Sequence, residues 1–244
     1  MVLDSRTSAD VGLDECAMAV SEGLDSWSHQ ACSDFGFVDG GTQPNAKVGF
    51  DSHDQEANIN LITWIESSWN TVHPQPYSKS IVALTTLTYD NNNGEILDAD
   101  VAFNGQAFRF STQGSSPDGL HDHGAIDIQS VMAHEAGHVL GLDDLTDTAS
   151  RSSTMFGKTL AGETSKRSLS NDDIDGLCAI YPKNSSSSPH PQSPSKDNAN
   201  IPADDSSDSP LGCQHVSGAP SMEFLFFLAL LARTRTKALR AKPR

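Results

Sequence analysis

The sequence is short of basic residues, and this shortage excludes one broad class of function. Its 244 residues include 16 lysines and arginines against 32 aspartates and glutamates, which gives a formal net charge of −16. A protein that binds nucleic acid needs clustered positive charge to neutralise phosphates. We therefore expect no nucleic-acid partner.

Long apolar runs and cysteines are also scarce. The longest uninterrupted apolar run, Phe224–Ala232, is far shorter than the roughly 20 residues that span a bilayer as a helix. Four cysteines are too few for a small fold built from disulfides, but they permit an oxidising compartment. No secretory leader is visible at the start of the sequence, so the protein is cytoplasmic or its upstream part is missing.

Composition divides the chain into three parts. Residues 1–182 carry spaced apolar positions and glycine turns, as expected for one folded domain. Residues 183–211 are rich in Ser, Pro and Asp and nearly free of large apolar side chains, which predicts a disordered linker. Residues 212–244 combine Gly-Cys, the short apolar run and a basic end.

Apolar spacing predicts the elements of the domain. Spacings of three and four residues from Leu13 to Trp27 predict an amphipathic helix, and Ser170 caps a short closing helix. We predict strands over 34–39, 80–89 and 95–103, whereas 59–69 fits a helix or a strand.

The segment IDIQSVMAHEAGHVLGLDD, residues 126–144, carries the chemistry. On a helix, His134 and His138 lie within roughly 40° of one face and about 6 Å apart along the axis, which suits two imidazoles on one Zn²⁺. Glu135 is placed to take a proton from a metal-bound water. Gly141 allows the chain to reverse, and Asp144 follows at the third-ligand position of HExxHxxGxxH.

HEAGHVLGLDD resembles the zinc signature of the metzincins, with Asp144 in place of the usual third histidine, as in the snapalysin-like branch. Over most of residues 11–182 the sequence is most similar to the matrixins. Trp27, GEILDADVAFN and LSNDDIDGLCAIYP all read as matrixin-like, and Ser153–Met155 resembles the Met-turn, although it lacks the proline common there. The resemblance implies an α+β, zincin-like domain with a twisted mixed β-sheet and an active-site helix.

The resemblance also implies the site. One catalytic zinc ion would be held by His134, His138 and Asp144, with Glu135 as the general base of peptide hydrolysis. An extended substrate would pair with an edge strand containing residues 95–103.

Further metal ligands are less marked in the sequence. Asp98 and Asp100 are candidate calcium ligands, with plain polar positions of an edge strand as the alternative. His121 and His123 are the nearest match to a second, structural zinc site, and solvated loop histidines are the alternative.

Both ends depart from the matrixin pattern. The chain begins almost at its first helix, so we expect the family's N-terminal strand and a signal peptide to be missing. Gly212, Cys213, the apolar run and the basic end resemble a surface-sorting tail of the myxobacterial type, which would attach the protein to a membrane. A degenerate tail or a membrane-surface helix is the alternative.

If Cys213 is the processing residue, Cys16, Cys32 and Cys178 form at most one disulfide, and the pairing stays open.

Together these features predict a monomeric, secreted or surface-attached zinc metalloendopeptidase acting on proteins or peptides. Two alternatives stand beside it. One is a surface binding module that keeps zinc without turnover, and the other is an HExxH hydrolase of small substrates. An intact Glu135 argues against the former.

Overall fold

The computed structural model describes residues 1–69, 80–113 and 124–183, and the backbone of residues 211–217. Its strands are β1 Val2–Asp4, β2 Thr42–Gln43, β3 Leu61–Trp64, β4 Ile81–Tyr89, β5 Ile96–Phe103, β6 Phe110–Ser111, β7 Ile126–Asp127, β8 Lys158–Thr159 and β9 Leu211–Ser217. Its α-helices are α1 Leu13–Asp25, α2 Ile128–Val139 and α3 Asn171–Ile180, with 3-10 turns at Gln55–Ala57, Thr148–Ser150 and Ser165–Arg167.

Seven of these strands form one mixed sheet in the order β2-β1-β3-β5-β4-β9-β8. Strands β2, β1, β3 and β5 run parallel to one another, and β4 runs antiparallel to β5. The strand β9 is parallel to β4 and antiparallel to β8. All but two residues of β4 are buried, as expected for a strand covered on both faces.

Close packing of α1 on α2 fixes the position of the motif helix. A Cβ atom added at Gly23 of α1 would lie 2.7 Å from Cβ of Met132, so only glycine allows this approach. Trp27, which is fully buried just after α1, donates a hydrogen bond from Nε1 to the carbonyl oxygen of Ala133 at 2.6 Å. The predicted helix therefore forms over Leu13–Asp25, and Trp27, just beyond its end, braces α2.

The expectation of a missing first strand is corrected by the structure, because β1 precedes α1 and lies inside the sheet. Val2 and Leu3 pair with Leu61 and Ile62 of β3, and Leu3 is buried. The strand was missed because it is only three residues long and ends on an aspartate. That aspartate, Asp4, is buried and bonded to Arg6.

Two other strand predictions also need correction. Residues 34–39 form no strand; instead Phe35 and Phe37 pack edge to face, with ring centroids 5.0 Å apart. Residues 95–103 form β5, as predicted, but β5 lies between β3 and β4 and is not an edge. Asp98 and Asp100 are accordingly buried in an interior strand and are not edge positions.

The ambiguous segment 59–69 contains the strand β3, and the closing helix α3 begins with the predicted cap. Ser170 and Asp173 form a complete capping box. Cys32 and Cys178 are joined by a disulfide that ties the loop after α1 to α3, whereas Cys16 is free and buried.

At the C-terminal side, only residues 211–217 are described, and they add β9 to the main sheet. Composition did not predict a strand there. The rest of the predicted linker and tail, including the apolar run 224–232, lies outside the described residues. None of the helices that the structure describes is both long and apolar enough to cross a membrane.

Candidate metal centre

The helix α2 begins at a well-formed cap. The side chain of Asp127 accepts a hydrogen bond from the backbone N–H of Ser130 at 2.8 Å. Arg167 adds an ion pair to the same carboxylate, from Nη2 to Oδ2 at 2.5 Å. The cap therefore fixes the start of the helix that carries the HExxH motif.

Two imidazoles and one carboxylate meet at the other end of α2. Nε2 of His134 and Nε2 of His138 lie 3.2 and 3.5 Å from Oδ1 of Asp144. Four ligands at zinc distances of 2.0–2.1 Å in a tetrahedron would lie about 3.3 Å from one another. These two distances therefore match two edges of a tetrahedral zinc site, and all three ligand atoms lie within 4.8 Å of one another.

A reversal of the chain after α2 brings Asp144 to the two histidines. Gly141 has a φ of 91°, a left-handed conformation that favours glycine. Its N–H donates to the carbonyl oxygen of His138, and the N–H of Leu142 donates to that of Gly137. The glycine at this position in the motif therefore acts as a helix stop that turns the third ligand inward.

Backbone carbonyls orient both imidazole rings. Nδ1 of His134 lies 2.7 Å from the carbonyl oxygen of Thr154, and Nδ1 of His138 lies 2.8 Å from that of Leu142. Because a carbonyl oxygen only accepts, each Nδ1 carries the proton and each Nε2 keeps a lone pair. This is the usual outer-sphere arrangement of metal-binding histidines.

Burial of the polar atoms of this site costs free energy unless each atom has a hydrogen-bond partner or a bound ion. Nε2 of His134, Oε1 of Glu135 and Oδ1 of Asp144 are buried and have no hydrogen-bond partner. Burial lowers the pKa of His134, which favours the neutral ring. A cation between these atoms would satisfy them, so the residues fit a zinc ion.

Glu135 is fully buried beside this group and is oriented by a residue that sequence reasoning missed. Oε2 of Glu135 accepts a hydrogen bond from Oγ1 of Thr85 at 2.6 Å, which leaves Oε1 as the partnerless oxygen. Thr85 is a fully buried polar residue in β4. Its position in an apolar strand gave no signal in the sequence, since threonine is common in strands.

The chain segment around Met155 packs against the helix α2 and so supports the site. Met155 is buried, and a Cβ atom added at Gly137 would lie 2.1 Å from its sulfur, so the glycine of HEAGH makes room for the methionine. The carboxylate of Asp173 accepts hydrogen bonds from the N–H groups of Thr154 and Met155. Because the carbonyl of Thr154 binds His134, α3 reaches the metal centre through this turn.

Two further residues hold the segment that follows the methionine. The ammonium group of Lys166, which is 1% exposed, donates to the carbonyl oxygen of Phe156. Gly157 lies directly against the third ligand: an added Cβ atom would be 2.8 Å from Cγ of Asp144. Sequence reasoning did not identify either residue.

Asp98 and Asp100, the predicted calcium ligands, do not belong to this group. Within the described residues, His134, His138 and Asp144 are the one set of side chains close enough to hold a metal ion together. The two oxygens of Asp100 already accept the N–H groups of Gly49 and Leu61. His121 and His123 lie outside the described residues.

The comparison with known families agrees with this geometry. A family model for Matrixin peptidases matches residues 3–182. The chain belongs to the matrixin family. It is therefore a zinc metalloprotease with an α+β, zincin-like domain, and the matched range accounts for every strand and helix from Leu3 to Ile180. A comparison with curated protein sequences gave no significant match.

Proposed function

We propose that this matrixin hydrolyses peptide bonds in proteins at a zinc ion held by His134, His138 and Asp144, with Glu135 as the general base. The observation that carries the proposal is the convergence of the three ligand atoms, with both Nε2 atoms 3.2 and 3.5 Å from Oδ1 of Asp144. The aspartate would replace the third histidine, as in snapalysin-like enzymes.

Zinc would supply a polarising charge for the substrate carbonyl and lower the pKa of a water molecule. The protein residues supply the rest. Glu135 would take up the proton of the attacking water at Oε1 and pass it to the leaving amine, since Oε2 is held by Thr85. The carbonyls of Thr154 and Leu142 would hold the proton on Nδ1 of each ring and keep both rings correctly turned, with Nε2 directed at the ion.

The surroundings of the domain are part of the same proposal. The disulfide between Cys32 and Cys178 supports an oxidising compartment, so we propose a secreted or surface-attached protein. We also propose that the tail attaches the protein to a membrane and that the domain acts as a monomer. Peptides and unstructured proteins are the proposed substrates.

Replacement of Glu135 by glutamine tests the mechanism. The zinc-loaded variant should keep its metal and its fold but lose several orders of magnitude in kcat against an unstructured protein, because the base and the orientation of water are lost together. Metal analysis and cleavage, with and without chelator, give the result. Zinc-loaded wild type that cleaves no peptide would favour the binding module, and cleavage by Glu135→Gln at the wild-type rate would exclude the mechanism.

A further inference from the structure

The strand β9 lies between two strands that flank the metal centre. Gly212 pairs with Ile81 of β4 on one side and with Lys158 of β8 on the other. Since neighbouring strands are about 4.8 Å apart, β4 and β8 are separated by about 10 Å at this point. The backbone of residues 211–217 therefore fills a gap that is one strand wide.

This gap crosses the site from the third ligand to the general base. At one end, β8 directly follows Gly157, whose backbone lies against the carboxylate of Asp144. At the other end, His215 of β9 is in register with Thr85, the residue that holds Glu135. An extended peptide brought to the metal centre would need the same two strand edges.

We propose that residues 211–217 are an intramolecular ligand of the substrate cleft, which competes with extended peptide substrates and keeps the full chain at reduced activity. The inference rests on the proposed function. Pairing through the backbone makes few demands on side chains, so a segment of the same chain and a substrate can use the same edge. The occupant is therefore named: it is the C-terminal part of this chain.

Residues 211–217 are covalently connected to the domain, and the length of this connection sets their effective concentration at the substrate cleft. Residues 184–210 join the last domain residue to β9, and 27 residues span at most about 90 Å when fully extended. A tether of this kind gives an effective concentration of about 1 mM. With a dissociation constant of about 0.1 mM, the segment would raise the apparent KM about tenfold and leave kcat unchanged.

The test compares two double variants of the full chain. Gln214→Pro with Val216→Pro removes backbone N–H groups from β9 and prevents its pairing. Ser206→Pro with Asp208→Pro puts the same substitutions at the same spacing outside the paired segment. The first variant should have a KM about tenfold below that of the wild type for an extended peptide, and the control should match the wild type.

Hydrogen exchange provides a readout that does not depend on turnover. The N–H of Asn104 donates to the carbonyl of Val82, so alternate residues of β4, among them Ala83, Thr85 and Leu87, direct their N–H groups away from β5. These three amides should be protected in the wild type and exchange faster in the variant with a disrupted β9. Equal exchange in all three proteins would overturn the proposal.

A synthetic peptide of residues 209–219 completes the test. It carries serine in place of Cys213, so that no thiol reaches the metal. Competitive inhibition of the variant with a disrupted β9 supports the proposal, and no inhibition at 1 mM or cleavage of the wild-type chain within residues 211–217 overturns it. Exchange that changes as expected in a chain that cleaves no peptide would instead exclude the proposed function and leave the docked strand established.

Discussion

Replacement of Gly157 by alanine tests the proposed role of Asp144 as the third metal ligand. An added Cβ atom would lie 2.8 Å from Cγ and Oδ1 of Asp144 and 3.1 Å from Oδ2, whereas ordinary contacts begin near 3.4 Å. The carboxylate would have to move by at least 0.6 Å (3.4 minus 2.8). A metal–ligand distance tolerates only about 0.2 Å, so Asp144 could not keep its place.

We expect the affinity for zinc to fall by about 10- to 100-fold, the usual result of disturbing a residue that positions a ligand. Competition with a chelator at fixed pH measures the dissociation constant directly. Gly36→Ala is the matched control, because its added Cβ atom would have no neighbour nearer than 3.9 Å. If Gly157→Ala binds zinc within twofold of the wild type while its Tm is unchanged, the placement of Asp144 as a ligand is refuted.

Three other substitutions test neighbouring parts of the structure. Asp144→Ala should lose zinc in a chelator competition because only two protein ligands remain, while Asp143→Ala should retain it; the reverse result would move the third ligand to Asp143. Thr85→Val should lower kcat at least tenfold with normal zinc content, because Glu135 loses its hydrogen bond, while Thr86→Val should not. Burial and a second buried carboxylate raise the pKa of Asp98 to about 7, so the folded state retains a proton and loses stability as pH rises from 4 through 7. Asp98→Asn should therefore raise the free energy of unfolding by about 1 kcal/mol at pH 8 and by much less at pH 4, and equal effects in denaturant titrations at both would contradict this.

That the candidate metal ligands lie close together could be predicted because their geometry is local. His134 and His138 are one helical turn apart, and Gly141 and Asp144 follow within one reversal, so spacing alone fixes their relation. The capping residue Ser170 was predicted for the same reason: a cap involves only the next three residues.

Long-range pairing could not be predicted from these patterns. Whether β4 or β5 is nearer the edge depends on the order of strands, and alternation along one strand gives no information on its neighbours. The contact of Thr85 with Glu135 joins residues 50 positions apart, and the pairing of Cys32 with Cys178 joins residues 146 apart. The strand β9 directly follows a polar stretch, and its composition did not indicate that it would pair with the sheet.

The disulfide between Cys32 and Cys178 encloses 146 residue steps, and so nearly the whole domain, in one covalent ring. In the chain-entropy model, a ring of this size lowers the entropy of the unfolded chain by an amount equivalent to about 5 kcal/mol of stability. The ring also changes what a single cut does. After cleavage anywhere between residues 33 and 177, both fragments stay joined through sulfur. A protease that works among other proteases would thus survive a first nick in its own loops without losing either half of its metal centre.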